Sequence, residues 1–184
     1  VEVAKLKVLK ADHQSQKYRL EDKLLKEFPA RIQCQKTEIA ALQQDAKVVE
    51  SNPQVKDGFC GMTVKGMHFE DKLAAGERLL LACKEMPTAE TVTLGNYRGF
   101  GLDLRFDTFR NEYQAVLRGA TSHFVPLGTD ARGNLTRLDN ALDSFPDRIA
   151  RAENQLQTLY QQRDAAQVEV EKPFPKEAEL AEKS

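Results

Sequence analysis

Three histidines, His13, His68 and His123, and three cysteines, Cys34, Cys60 and Cys83, are the side chains of this 184-residue chain best suited to metal ligation or nucleophile–base chemistry near neutral pH. A zinc site needs three or four ligands converging from paired spacings such as C-x-x-C, and these six residues are scattered singly. Ser122, His123 and Asp130 have the composition of a nucleophile, a base and its orienting carboxylate. Adjacent residues of a strand point to opposite faces, however, so Ser122 and His123 cannot share the required hydrogen bond. Nucleotide chemistry would need a phosphate cradle, and neither G-x-x-x-x-G-K-[ST] nor a strand-led G-x-G-x-x-G occurs. Gly95, Gly99 and Gly101 fall in a turn and a strand instead of before a helix. Asn52-Pro53-Gln54-Val55 begins like the N-P-P-Y element of amino-methyltransferases but lacks the second proline and the aromatic, and reads as a helix terminator. Carboxylates such as Glu177 and Glu179 read as solvated helix surface. The sequence therefore assigns no catalytic residue, no metal ligand and no cofactor site, and the expected segment is not an enzyme.

One set of residues has binding chemistry. Lys65, Tyr97, Arg98, Arg105 and Arg118 are placed on the outer side of a sheet, where cations beside a ring can hold phosphates and stack a base. The competing reading is a solvated sheet surface on which Asp103 and Asp107 simply pair with those arginines.

The elements that must carry these residues follow from hydrophobic spacing. Residues 98–106 alternate, with Phe100, Leu102, Leu104 and Phe106 on one face and Gly99, Gly101, Asp103 and Arg105 on the other. Residues 112–117 and 122–127 continue as strands around a Gly119-Ala120 turn; residues 59–64 and 91–94 are also extended, with Gly95-Asn96 as a turn. Residues 70–86 have helical spacing, and Asn134 is positioned to cap a helix running to Phe145. Before this region, Leu6, Leu9, Leu20 and Leu24 line a helix that should stop or kink at Phe28-Pro29. A second helix starts there, with Ile32, Ile39, Leu42 and Val49 in a narrow stripe. Phe145-Pro146-Asp147-Arg148-Ile149 repeats Phe28-Pro29-Ala30-Arg31-Ile32, and Ile149, Leu156 and Leu159 repeat the stripe. The expected fold is α+β: a long antiparallel, coiled-coil-like helical hairpin with a small, mainly antiparallel sheet inserted in it and packed by one or two helices. Its parts are an N-terminal arm (1–52), an inserted α+β domain (53–135) and a C-terminal arm (136–184), with a further helix opening at 176–184.

Composition agrees with a folded, helix-rich chain: 41% hydrophobic, 30% charged, without Trp. Net charge is -1, and the three parts carry ten Lys/Arg against eight Asp/Glu, ten against ten, and seven against ten. No part is basic enough to announce nucleic acid by charge alone. With a mean hydropathy of -0.54 and no apolar run near ~20 residues, a membrane span is not expected. The odd, widely spaced cysteines and the absence of an apolar signal core predict a cytoplasmic protein. A start without Met and an end inside a helical pattern suggest a piece of something longer.

Five stretches carry a family resemblance: Lys10-Ala11-Asp12-His13 with Tyr18-Arg19-Leu20-Glu21-Asp22; Asp71-Lys72-Leu73-Ala74-Ala75-Gly76; Leu94-Gly95-Asn96-Tyr97-Arg98-Gly99-Phe100; Leu127-Gly128-Thr129-Asp130 on to Leu142; and Pro173-Phe174-Pro175. Together they resemble the far C-terminal region of large bacterial proteins that fuse a Swi/Snf-type helicase to an adenine-specific DNA methylase, typical of integrative and conjugative elements. The resemblance implies ATP-driven translocation and methyl transfer from S-adenosylmethionine upstream of this segment, none of whose motifs lies within it. It implies an accessory domain in a mobile-element polypeptide, with DNA and the upstream domains as partners. The rival expectation is an interaction or self-association module acting through the helical arms, and a third is an enzyme with an unmarked cleft.

Overall fold

The computed structural model describes residues 1–87, 90–173 and 176. The chain opens with α1 (Glu2–Asp22), a π-helical turn (Lys23–Glu27) and α2 (Phe28–Ser51). Asp22 (φ -63°, ψ -43°) and Phe28 (φ -62°, ψ -47°) keep helical dihedrals, so these form one unbroken helix. Of the expected stop or kink at Phe28-Pro29, the stop, and with it the start of a separate second helix, is corrected. Proline lacks an N–H, and its ring presses on the carbonyl four residues back, here that of Leu25. In the π turn the Phe28 N–H donates to the Lys23 carbonyl, five residues back, which widens the backbone where the ring must fit. The helix ends as expected before Pro53, with Asn52 Nδ2 donating to the Val48 carbonyl at 2.9 Å.

The remaining elements are β1 (Met62–Val64), β2 (Met67–Phe69), α3 (Lys72–Glu85), β3 (Val92–Tyr97), β4 (Phe100–Asp107), β5 (Glu112–Arg118), β6 (Ser122–Pro126), α4 (Ala131–Asp143) and α5 (Phe145–Glu171). The architecture is thus α+β, with a six-stranded antiparallel sheet in the order β2-β1-β3-β4-β5-β6. Three local expectations change. The first strand shortens to Met62–Val64 and gains an unforeseen partner, β2. Gly95-Asn96 lies inside β3, and the chain turns instead at Arg98-Gly99, both at positive φ (47° and 83°). Glycine stands at 95 because β1 passes close by: a Cβ there would sit 2.0 Å from the Thr63 carbonyl oxygen. Finally, α4 begins before Asn134, capped by Asp130, whose Oδ2 accepts from Gly133 N at 2.6 Å. Asn134 is buried and ties the preceding loop through Gly128 N and O.

The chain divides into two compact units, Val1–Thr37 with Arg151–Ser184, and Glu38–Ala150. In the first, Phe28, Ile32, Leu159 and Ala166 form a buried cluster, with Leu20, Leu24, Leu156 and Tyr160 against it. Gln35 Nε2 adds hydrogen bonds to the Ala152 carbonyl (2.9 Å) and Gln155 Oε1 (3.1 Å). In the second, the sheet's inner face (Val64, Phe100, Leu102, Leu104, Leu117, Val125) is buried beneath α3 and α4, which contribute Leu79, Leu135, Leu138 and Leu142. The two helices cross so closely that a Cβ on Gly76 would stand 2.3 Å from the Ala131 carbonyl oxygen. The aliphatic stripe divides between the units: Ile32, Leu156 and Leu159 in the first; Ile39, Leu42, Val49 and Ile149 in the second, where Ile39 and Leu42 are buried and Val49 and Ile149 half-buried. The expected tail helix at 176–184 and the Phe174-Pro175 stretch lie outside the described residues, Lys176 apart. Among the described residues no helix is long and apolar enough to cross a membrane.

Candidate nucleic-acid interface on the outer sheet face

Antiparallel register sets which side chains share the sheet face turned away from α3 and α4. Gly101 pairs with Arg118, Asp103 with Val116 and Arg105 with Gln114 across β4 and β5. Arg118 pairs with Ser122, Val116 with Phe124 and Gln114 with Pro126 across β5 and β6. Partners directly opposite point the same way, so these residues form one outer face. Phe124 is its exposed ring, 53% accessible, between the inward-facing His123 and Val125.

Two arginines lie on this face. Arg105 starts on β4, yet its guanidinium sits 4.6 Å from the centre of the Phe124 ring on β6, so its side chain crosses β5. It also approaches Asp107 at 3.7 Å. Arg118 reaches diagonally from β5 to Asp103, Nε to Oδ2 at 2.6 Å, with its guanidinium against Gly101. Beneath them Asp103, Gln114 and Val116 are buried although they belong to the outer face. Gln114 Nε2 donates to Glu112 Oε1 (3.0 Å) and Asp107 Oδ2 (3.3 Å), which fixes the amide so that Oε1 faces away from those carboxylates.

Of the five residues assigned from the sequence, the structure brings Arg105 and Arg118 together on this face. Lys65 is exposed in the β1–β2 turn, with its N–H donating to the Leu94 carbonyl at 2.7 Å. Tyr97 and Arg98 are corrected: they are 1% and 6% exposed and belong to the interior. The Tyr97 hydroxyl donates to Asp139 Oδ1 at 2.6 Å, and its acidity is strongly suppressed, by burial first and by Asp139 second. Arg98 donates from Nη1 to Asp139 (3.1 Å), from Nη2 to Asp143 (2.9 Å) and from Nε to the Asn52 carbonyl (2.9 Å). Burial pulls its pKa down, but the bonds to Asp143 and Asp139 outweigh that and the net shift is upward. Asp143 also accepts from Gln54 Nε2. Register and turn geometry explain the difference: Tyr97 pairs with Phe100 across β3 and β4 and so shares its inner face, while at positive φ the Arg98 side chain leaves the strand alternation and folds back toward α4.

Phe124 and Gln114 complete the face and were not singled out from the sequence. The available signal was the run Ser122-His123-Phe124-Val125-Pro126, in which the single large apolar residue of one face is an aromatic among polar neighbours.

His123, the histidine with the most chemistry around it, is committed to the core. Its Nε2 meets Asp45 Oδ2 at 2.6 Å and its Nδ1 meets Arg148 Nη1 at 3.0 Å, so the neutral ring donates to the carboxylate and accepts from the guanidinium. Burial lowers its pKa; the hydrogen bond to Asp45 works the other way, the Arg148 charge lowers it further, and the net is downward. Asp45 additionally accepts from Ala120 N (2.6 Å) and Thr121 N (3.3 Å), clamping the β5–β6 turn onto α2. Among the described residues no group of three or more His, Cys, Asp or Glu is arranged to hold a metal ion. Neither a protein-family model, nor a curated protein, nor a solved structure matches the chain.

Proposed function

We propose that this chain is a non-catalytic accessory domain that contacts DNA through the outer face of its sheet. The observation carrying this reading is the exposed Phe124 ring with a guanidinium stacked on it and a second guanidinium, that of Arg118, on the same face. Cations that hold phosphates and a ring that accepts a base are the two components of nucleic-acid surfaces lacking a groove-reading helix. The resemblance noted in the sequence supplies a setting, a mobile-element helicase–methylase acting on DNA in the cytoplasm, with ATP and S-adenosylmethionine serving its upstream parts. In this reading the aliphatic stripes form an antiparallel hairpin that spaces the sheet from the rest of the polypeptide. The cluster of Phe28 and Ile32 with Leu156 and Leu159 supports it.

The test is fluorescence anisotropy with labelled single- and double-stranded 20-mers. Binding should weaken steeply with salt, and Arg105→Ala with Arg118→Ala should reduce the slope of log K against log salt by about 1.4 on a single strand, two contacts at roughly 0.7 each. No binding at low salt, or an unchanged slope in the double variant, overturns the proposal.

A second reading, self-association through the helical arm, rests on a different observation. Ala4, Lys5, Val8 and Leu9 line an apolar hollow on α1, with Val8 and Leu9 exposed. Concentration-dependent mass in light scattering, abolished by Val8→Asp with Leu9→Asp, would favour it. Ile39 and Leu42 are unsuitable probes because they are already buried within the chain.

A further inference from the structure

Among the described residues three buried side-chain atoms have no hydrogen-bond partner: Asp103 Oδ1, Arg105 Nε and Gln114 Oε1. All three lie on the outer sheet face, on neighbouring positions of β4 and β5. Asp103 is 6% exposed and Gln114 4%. Buried polar atoms are nearly always satisfied, and an unmet acceptor or donor is a standing cost. Three such atoms, one of them on Arg105 itself, beside the exposed Phe124 ring and Arg118 mark this face as a candidate site.

The chemistry of a ligand that would complete these hydrogen bonds can be read atom by atom. Both unmet oxygens accept hydrogen bonds, so the ligand must donate. Phe124 offers a flat apolar surface, now covered by the Arg105 guanidinium 4.6 Å away. The two guanidiniums require anions nearby if they are to leave Phe124 and Asp103.

We infer that the face binds a single-stranded nucleic acid and prefers bases bearing an amino group. The base takes the place of the Arg105 guanidinium on Phe124 and donates its amino N–H groups to Gln114 Oε1 and Asp103 Oδ1. Arg105 and Arg118 swing out to the flanking phosphates, which uncovers the two acceptors. No covalent step is involved. The inference rests on the reading of this face as a nucleic-acid surface, and adds which strand form and which bases it takes.

Cytosine and thymine are the test pair, since both are pyrimidines and cytosine carries two amino N–H donors at C4 where thymine carries a carbonyl, leaving thymine a single N3–H that can meet at most one of the two acceptors. The experiment titrates the full chain into labelled dC15, dT15 and a 15-base-pair duplex at pH 7.5, by anisotropy. The expected result is dC15 binding about tenfold tighter than dT15, the scale of one hydrogen bond made or left unmade, with the duplex weakest. Gln114→Met, and separately Asp103→Asn, should bring dC15 toward dT15 with little change in the dT15 affinity, circular dichroism confirming that each variant is folded. Phe124→Ala should weaken both strands together. Equal affinity for dC15 and dT15 in the unaltered chain overturns this inference and leaves DNA contact standing; failure to bind any of the three overturns both. Tight duplex binding with no preference between the single strands also overturns it.

Discussion

Arg98 is the residue whose replacement most directly separates an internal tie from a binding surface. It sits at φ 47°, where a side chain bearing a Cβ is strained, in the turn joining β3 to β4. Its guanidinium holds Asp139, Asp143 and the Asn52 carbonyl together. Arg98→Ala removes that cation. The Asp139 side chain is about one-tenth exposed and keeps the Tyr97 hydroxyl; the Asp143 side chain is 42% exposed and can turn to water. Breaking a fully buried ion pair from one side costs about 3–5 kcal/mol, and discounting the Asp143 contact leaves ~3 kcal/mol. Arg98→Gly loses the same bonds but relieves the turn, so it should be less destabilised than Arg98→Ala by about 1 kcal/mol. Urea unfolding followed by circular dichroism measures both, read as a shift in midpoint at constant m. Oligonucleotide affinity at temperatures where the variants are folded should be unchanged. If Arg98→Ala shifts stability by less than about 1 kcal/mol, or if it weakens oligonucleotide binding while folded, the assignment of Arg98 to the interior network fails.

Other perturbations test the same physical account. His123 has a folded-state pKa below its ordinary value of 6.5, so below pH 6.5 the unfolded chain binds the extra proton. Stability should therefore fall as pH drops through 6.5 toward the folded pKa, by at most about 1.4 kcal/mol per pH unit, and this share should be missing from His123→Gln when urea midpoints are compared across pH 7.5 to 5. Gly76→Ala should destabilise by ~1–3 kcal/mol, because the new methyl meets the Ala131 backbone instead of a movable side chain; a neutral thermal melt would show that α3 and α4 separate freely. The Cys83 thiol is buried and pushed up to about 11, whereas Cys34 is exposed. Ellman's reagent at pH 8 should modify Cys34 quickly and Cys83 only on denaturation, and rapid labelling of Cys83 in the folded chain would contradict its burial.

Periodicity made much of the fold legible. The alternation of Phe100, Leu102 and Leu104 marks a strand because its inner face is buried, and all three have no measurable exposure. The proline at 53 marks a true helix end because nothing compensates for it. Pro29 carries the same local signal yet lies inside a helix, and the difference is the π turn of Lys23–Glu27, which depends on backbone geometry no residue type announces. Gly95 misleads for a related reason. Glycine serves both turns and close approaches, and only the position of Thr63, more than thirty residues earlier in the chain, shows which applies. Strand β2 was invisible because three residues, Met67–Phe69, give too short a run to display a period.

The candidate face was half legible, for a reason rooted in strand register and turn geometry. Arg105 and Arg118 sit within regular strands, where a side chain's face follows from counting by two, and the alternation placed them correctly relative to each other. Tyr97 ends β3, where the register sets it opposite Phe100 and so on the inner face, whereas Arg98 sits in the turn at positive φ, where the count breaks; both meet Asp139, a residue on a helix that follows 41 or 42 positions later. For Arg98 and Arg118, carboxylates decide the matter. Asp139 is buried and takes its arginine into the core; Asp103 is buried too, but on the outer face, and keeps Arg118 lying flat across the sheet with its side chain still 48% exposed. An arginine bound on the inside cannot reach a phosphate without unfolding its turn, whereas one held flat on a surface exchanges a single carboxylate for another anion. Whether an arginine is held inside or left on the surface is therefore set by which side of the sheet its acidic partner occupies, a quantity fixed by strand register and helix packing together and absent from the local sequence around either residue.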